Sequence, residues 1–103
     1  ILTAIGNDYG FDKIFSRQIE ALCRPEDVVV GITTSGNSPN VVVAMEEANK
    51  IGAFTVGFTG ESGGKLNSIC DAVIRIPSKT TARIQECHIL VGHILCECID
   101  AYY

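Results

Sequence analysis

Val28-Val29-Val30-Gly31-Ile32, running straight into Thr33-Thr34-Ser35-Gly36-Asn37-Ser38-Pro39, is the stretch on which the fold turns. A run with no polar residue has no wet side, so it predicts a strand covered on both faces, the habit of a parallel sheet. Ser38 followed by Pro39 is a helix start, an N-cap with proline in the first turn. Beyond it Val41, Ala44, Ala48 and Ile51 make an apolar stripe that leaves Glu46, Glu47 and Lys50 for water, and Gly52 ends the pattern. A strand and a helix joined by a hydroxyl-rich loop form a βα unit. Ligands of open α/β sheets bind at that place, beyond the carboxyl ends of the strands.

Working outward, Phe54-Thr55-Val56-Gly57-Phe58 and Ala72-Val73-Ile74-Arg75-Ile76 read as two further strands, the second closed by Pro77. Phe11, Phe15, Ile19 and Leu22 predict a helix over Phe11 to Cys23, and a shorter helix lies between the last two strands. The expected fold is therefore α/β: a three-layer, flavodoxin-like parallel sheet with right-handed crossovers, one domain over residues 1–103. Three strands make a thin sheet for that class, which suggests the C-terminal portion of a larger domain. The last segment, about Thr81 to Ala101, is apolar nearly all round. One sheet face can cover only one side of such a helix, so a subunit interface is expected there; the plainer reading is a terminal helix packed on its own domain.

With eight Lys+Arg against twelve Asp+Glu and a net charge of −4, the chain carries no basic block, and nucleic acid is not an expected partner. No apolar run reaches the roughly 18 residues of a membrane span, and Ile1-Leu2-Thr3 lacks the features of a signal peptide. Five cysteines (Cys23, Cys70, Cys87, Cys96, Cys98) are an odd set without scaffold spacing. They read as small buried hydrophobes in a reducing, cytoplasmic compartment rather than as metal or redox ligands.

Four hydroxyls, of Thr33, Thr34, Ser35 and Ser38, surround a helix N-terminus whose unpaired N–H groups favour an anion. Neutral donors suit phosphate oxygens without any Lys or Arg; the plainer reading is a Ser/Thr-rich turn with Ser38 as a cap. The second loop, Thr59-Gly60-Glu61-Ser62-Gly63-Gly64-Lys65, imitates a nucleotide loop and fails it. Thr59 stands where the first glycine is required, and Leu66 follows Lys65 instead of Ser or Thr. It reads as a strand-to-helix turn at the rim of the same pocket. Gly6-Asn7-Asp8-Tyr9-Gly10 reads as a tight polar turn, or as an amide and a carboxylate placed for vicinal hydroxyls. Within the apolar last helix stand Arg83, Gln85, Glu86, His88 and His93. Gln85 and His93 are about 12 Å apart along the axis, too far for direct contact but within reach of a ligand or metal lying between extended side chains; the plainer reading is that His93 is a satisfied core histidine.

Taken together, Gly6-Asn7-Asp8-Tyr9-Gly10-Phe11, Gly31-Ile32-Thr33-Thr34-Ser35-Gly36-Asn37-Ser38 and Arg83-Ile84-Gln85-Glu86-x-His88-Ile89 with His93-Ile94-Leu95 resemble the phosphoheptose isomerase family, built on the sugar-isomerase (SIS) domain. The resemblance implies interconversion of sedoheptulose 7-phosphate and D-glycero-D-manno-heptose 7-phosphate through an enediol, the first step toward the nucleotide-heptose of surface glycans such as lipopolysaccharide. It implies that Asn7 and Asp8 contact substrate and that Thr33, Thr34, Ser35 and Ser38 hold its phosphate. Gln85 would bind substrate and one zinc ion per subunit, and His93 would be a zinc ligand and the catalytic acid/base. It also implies a homotetramer cored by the terminal helices. The family's N-terminal half, with a G-N-G-G-S loop, a histidine ligand and the glutamate base, is not among these residues, so the 103 residues alone are expected to be inactive. The alternative is a non-catalytic SIS module that binds a sugar phosphate or a protein partner.

Overall fold

The computed structural model describes all 103 residues. The β-branched run forms strand β1 over Val28–Ile32, as the sequence predicts. β2 (Phe54–Thr59) pairs with it in parallel, Val28 opposite Phe54 and Ile32 opposite Phe58. β3 (Ala72–Arg75) pairs with β2, again in parallel, giving the order β1-β2-β3 with β1 at one edge. Helix α3 (Pro39–Ile51) joins β1 to β2, and the short α4 (Leu66–Ile69) joins β2 to β3. Helix α5 (Thr81–Tyr102) closes the chain. Gly52 stops α3 in the left-handed conformation, φ 96°, where its N–H satisfies the carbonyl of Ala48.

The two faces of the sheet differ. On one, Val42, Met45 and Leu66 form the core cluster, with Val29, Val41, Ile69 and Cys70 packed around it. Gly31 makes the close approach possible: a Cβ there would stand 2.8 Å from Met45 Sδ. Helix α2 (Ser16–Leu22) packs against α3. On the other face Val28, Val30, Ile32 and Phe54 are exposed. Only the carboxyl end of that face is covered, where Phe58 meets α5. At the opposite pole a polar clamp ties the elements together: Thr55 Oγ1 donates to Asn49 Oδ1, and Asp71 Oδ2 accepts from the Thr55 amide at 2.9 Å.

Several expectations are corrected. Gly6 to Tyr9 is not a turn but the end of helix α1 (Leu2–Tyr9), and only Gly10, φ 94°, leaves helical geometry. The single helix expected over Phe11 to Cys23 is a 3₁₀ turn (Phe11–Lys13) followed by α2. The break rotates the face, so Ile14 is buried while Phe11 and Leu22 stay exposed. β1 is not covered on both faces. None of the five cysteines is fully buried: all are free, and Cys96 and Cys98 are exposed. Most of α5 packs on nothing, only Ile84 and His88 of its 22 residues being buried.

Candidate functional site

The loop after β1 is held from both sides. Thr33 N–H donates to Phe58 O, extending the β1–β2 ladder, and Gly60 N–H donates to Thr34 O at 2.9 Å. Lys65 N–H donates to Asn37 Oδ1 at 2.8 Å, and Leu66 N–H donates to Gly36 O. Glycine is required where the two loops touch. Gly36 sits at φ 72°, and a Cβ there would collide with the Gly63 carbonyl. A Cβ on Gly64 would stand 2.5 Å from Ser35 O. The Gly60–Lys65 segment is thus a brace for the first loop, and its glycines serve loop-on-loop packing.

Inside that brace three hydroxyls converge. Thr33 Oγ1 shares a hydrogen bond with Ser38 Oγ at 2.7 Å and approaches Ser35 Oγ at 3.4 Å. Ser38 occupies the N-cap position of α3, yet its side chain caps nothing. It bonds Thr33 instead, so the capping role expected from sequence is not the one its hydroxyl takes. Val41 N–H is taken by Asn40 Oδ1, whereas the amides of Ser35, Ser38 and Asn40 find no acceptor in the chain. Free amides and hydroxyls at the positive end of a 13-residue helix make an anion cradle with no cation in it.

The cradle opens on two cavities. One, of about 430 Å³, is lined by Thr33, Thr34 and Ser38 on the loop side and by Gln85, His88 and Gly92 on α5. The other, about 480 Å³, lies between Ser35, Ser62, Ser78 and Lys79. The structure thus brings Thr33, Thr34, Ser38 and Gln85 to one cavity, whereas Ser35 lines the other, with Thr34 common to both. Asn7 and Asp8 lie exposed on the last turn of α1, bonded to each other at 3.2 Å, and line neither cavity. His93 is exposed on α5, one residue beyond the lining Gly92.

His88, which the sequence marks as a polar residue of the last helix without giving it a role, is buried against the sheet. It is 4% exposed, its Nε2 lies 2.8 Å from Thr59 O, and its ring meets Phe58 at 5.7 Å between centroids. The available signal was its i, i+4 spacing from Ile84, which puts both on one helix face.

The SIS domain family model matches residues 1–60, the stretch that holds β1, the hydroxyl-lined loop and α3. The chain belongs to the SIS domain family. It is 57% identical over 97% of its length to the phosphoheptose isomerase of Aquifex aeolicus, covering 52% of that protein. Against the phosphoheptose isomerase of a Nitratiruptor species it is 58% identical over 96% of its length, covering 53%. The solved phosphoheptose isomerase of Neisseria gonorrhoeae superposes with a TM-score of 0.92 at 50% identity, over 95% of this chain and 56% of that one. That of Francisella tularensis gives 0.93 at 44% identity, over 97% and 54%. The chain spans about half the length of the relatives it matches.

Zinc, which the resemblance implies, was tested against the donors present. A catalytic zinc takes three protein ligands. Gln85 and His93 are two, both exposed and more than two helical turns apart, and no three His, Cys, Asp or Glu side chains cluster anywhere. The donors of these 103 residues do not fit a zinc ion by themselves. No helix is long and apolar enough to cross a membrane.

Proposed function

We propose that this chain supplies the phosphosugar-binding half of an aldose–ketose isomerase that interconverts sedoheptulose 7-phosphate and D-glycero-D-manno-heptose 7-phosphate in the cytoplasm, on the way to surface-glycan heptose. One observation carries the reading: a cradle of three converging hydroxyls and free amides at the α3 N-terminus, opening on a cavity whose far wall holds Gln85. Thr33, Ser35 and Ser38 hold the phosphoryl oxygens, and Thr34 and Gln85 face the sugar. Fixing the phosphate at one end lets its binding energy align the reacting carbons at the other.

The chemistry is proton transfer through a cis-enediol. A base takes the proton from the carbon next to the carbonyl, an acid protonates the oxygen, and the proton returns to the neighbouring carbon. His93 is the acid/base candidate, and each positioned transfer of this kind is worth ~10²–10⁴ in rate. No carboxylate lines the cavity with Gln85, so the base is not supplied by these residues, nor is a complete zinc shell. Asn7 and Asp8 act on substrate only if α1 is brought over the cradle. The exposed apolar half of α5, with Ile89, Leu90, Ile94 and Ile99, is the surface through which a homotetramer would form. The lack of a carboxylate in the cavity favours, for the 103 residues alone, a second reading as a sugar-phosphate-binding module without turnover.

The test is turnover of sedoheptulose 7-phosphate by the full-length protein. S38A is expected to weaken binding of that sugar phosphate about tenfold and to lower stability by only about 1 kcal/mol, since the bond to Thr33 Oγ1 is lost but no helix cap is. Unchanged affinity would move the phosphate elsewhere, and turnover surviving His93→Gln would remove His93 from the chemistry.

A further inference from the structure

Helix α5 touches the sheet through two buried side chains, and one of them is polar. Ile84 is what packing requires; an apolar residue would serve equally at 88 if packing were all that position did. His88 instead spends one nitrogen on the carbonyl of Thr59, the last residue of β2, at 2.8 Å. A carbonyl only accepts, so Nε2 carries the proton, and in the neutral ring Nδ1 is left as a lone-pair acceptor. Nδ1 is buried and has no partner in the chain. A buried acceptor without a donor is destabilising, so such a group calls for an explanation.

The surroundings supply one. His88 lines the same cavity as Thr33, Thr34, Ser38 and Gln85. Gln85 lies one turn before it and Gly92 one turn after, on the same helix face. Beyond Gly92 the space is open, since a Cβ there would meet nothing within 4 Å, and the ring that carries the unpartnered nitrogen forms part of the wall opposite the cradle.

We propose that His88 binds substrate: Nε2–H latches α5 to the end of β2, and Nδ1 accepts a hydrogen bond from a hydroxyl of the polyol phosphate whose phosphate sits in the Thr33–Ser38 cradle. The proposal rests on the reading of that cavity as the sugar-phosphate site. It gives the wall opposite the phosphate an acceptor, where the cradle itself offers donors. An inorganic phosphate fills the cradle without reaching His88; a sugar phosphate reaches both.

The deciding variant is His88→Gln in the full-length protein. Its terminal amide N–H reaches the place of Nε2 and keeps the bond to Thr59 O, but it puts no acceptor in the place of Nδ1. Titration is expected to show about tenfold weaker binding of sedoheptulose 7-phosphate, the loss of one hydrogen bond, with inorganic phosphate unchanged. In the wild-type protein the ¹⁵N resonance of His88 Nδ1 is expected to move when the sugar phosphate is added and to stay when inorganic phosphate is added. Equal affinity of H88Q and wild type for the sugar phosphate overturns the proposal, and so does an Nδ1 resonance that ignores it; the resonance decides alone should H88Q not fold. A wild type that binds sedoheptulose 7-phosphate without turning it over sinks the isomerase reading, while the affinities still decide His88. A wild type that binds inorganic phosphate and no sugar phosphate sinks both.

Discussion

The face of the sheet under α3 and the face under α5 are built from the same three strands and could hardly be finished more differently. Under α3, Met45 is 1% exposed and Leu66 is 0% exposed, and Gly31 is cut away to let the helix in. Under α5, Val28 and Ile32 are 62% and 57% exposed, and contact is confined to the carboxyl end of the strands. The α3 face is closed by residues drawn from Val29 to Cys70, while the α5 face leaves the cavity that Gln85 and His88 line. What joins the two is the pair of braced loops, since Thr33–Ser38 follows β1 and opens α3, the helix of the filled face.

The sharpest way to break that joint is Gly36→Ala. The methyl group meets the Gly63 carbonyl and the residue sits at a positive φ, so the two loops cannot stay laced. Backbone strain and a lost contact of this kind cost about 2–4 kcal/mol, and the cradle goes with them. The expected outcome is a large drop in unfolding temperature together with loss of measurable sugar-phosphate binding by calorimetry. A protein that keeps both would mean that the second loop does not brace the first.

Next in size comes a matched pair of truncations. Met45→Ala empties a fully buried site and is expected to cost about 2–5 kcal/mol. Val30→Ala, on the face where that side chain is 44% exposed, is expected to cost less than about 1 kcal/mol in the 103-residue chain. Denaturant titration of both variants measures the contrast. If Val30→Ala costs much more in the full-length protein than in the 103 residues, the difference reports how much of that face is covered there.

Sequence patterning rendered one side of this molecule well and the other poorly, for a physical reason. Val28–Ile32 and Pro39–Ile51 appear with the bounds expected, because β-branching, the Ser38-Pro39 start and the Gly52 stop are local signals. Asn7 and Asp8 read as a turn because Gly6 and Gly10 bracket them, yet Gly6 is tolerated inside α1 and only Gly10 leaves it. The gathering of hydroxyls at the α3 N-terminus was legible from their spacing; the brace was not, since the meeting of Gly36 with Gly63 and Gly64 joins residues nearly thirty positions apart. His93 took a role from the family resemblance and His88 took none, although the i, i+4 spacing of His88 from Ile84 marks it as the histidine that faces the sheet.

The smallest effect expected separates the faces by chemistry instead of stability. Burial pushes the Cys70 thiol above its ordinary range; the Thr55 hydroxyl draws it partly back, and the Asp71 charge adds to the rise. Cys70 packs against the core cluster, whereas Cys96 and Cys98 stand exposed on α5. The thiolate is the reactive species, so a thiol that is both raised and covered reacts slowly with iodoacetamide near neutral pH. In the 103-residue chain Cys96 and Cys98 are expected to alkylate first and Cys70 last, followed by peptide mass spectrometry over time. Raising the pH should narrow the gap without closing it, because burial limits access as well as ionisation. In the full-length protein, slowed alkylation of Cys96 and Cys98 with Cys70 unchanged would mean that α5 is covered by another surface. Rates equal to those in the 103 residues would leave that helix in water and take the oligomer interface away from it.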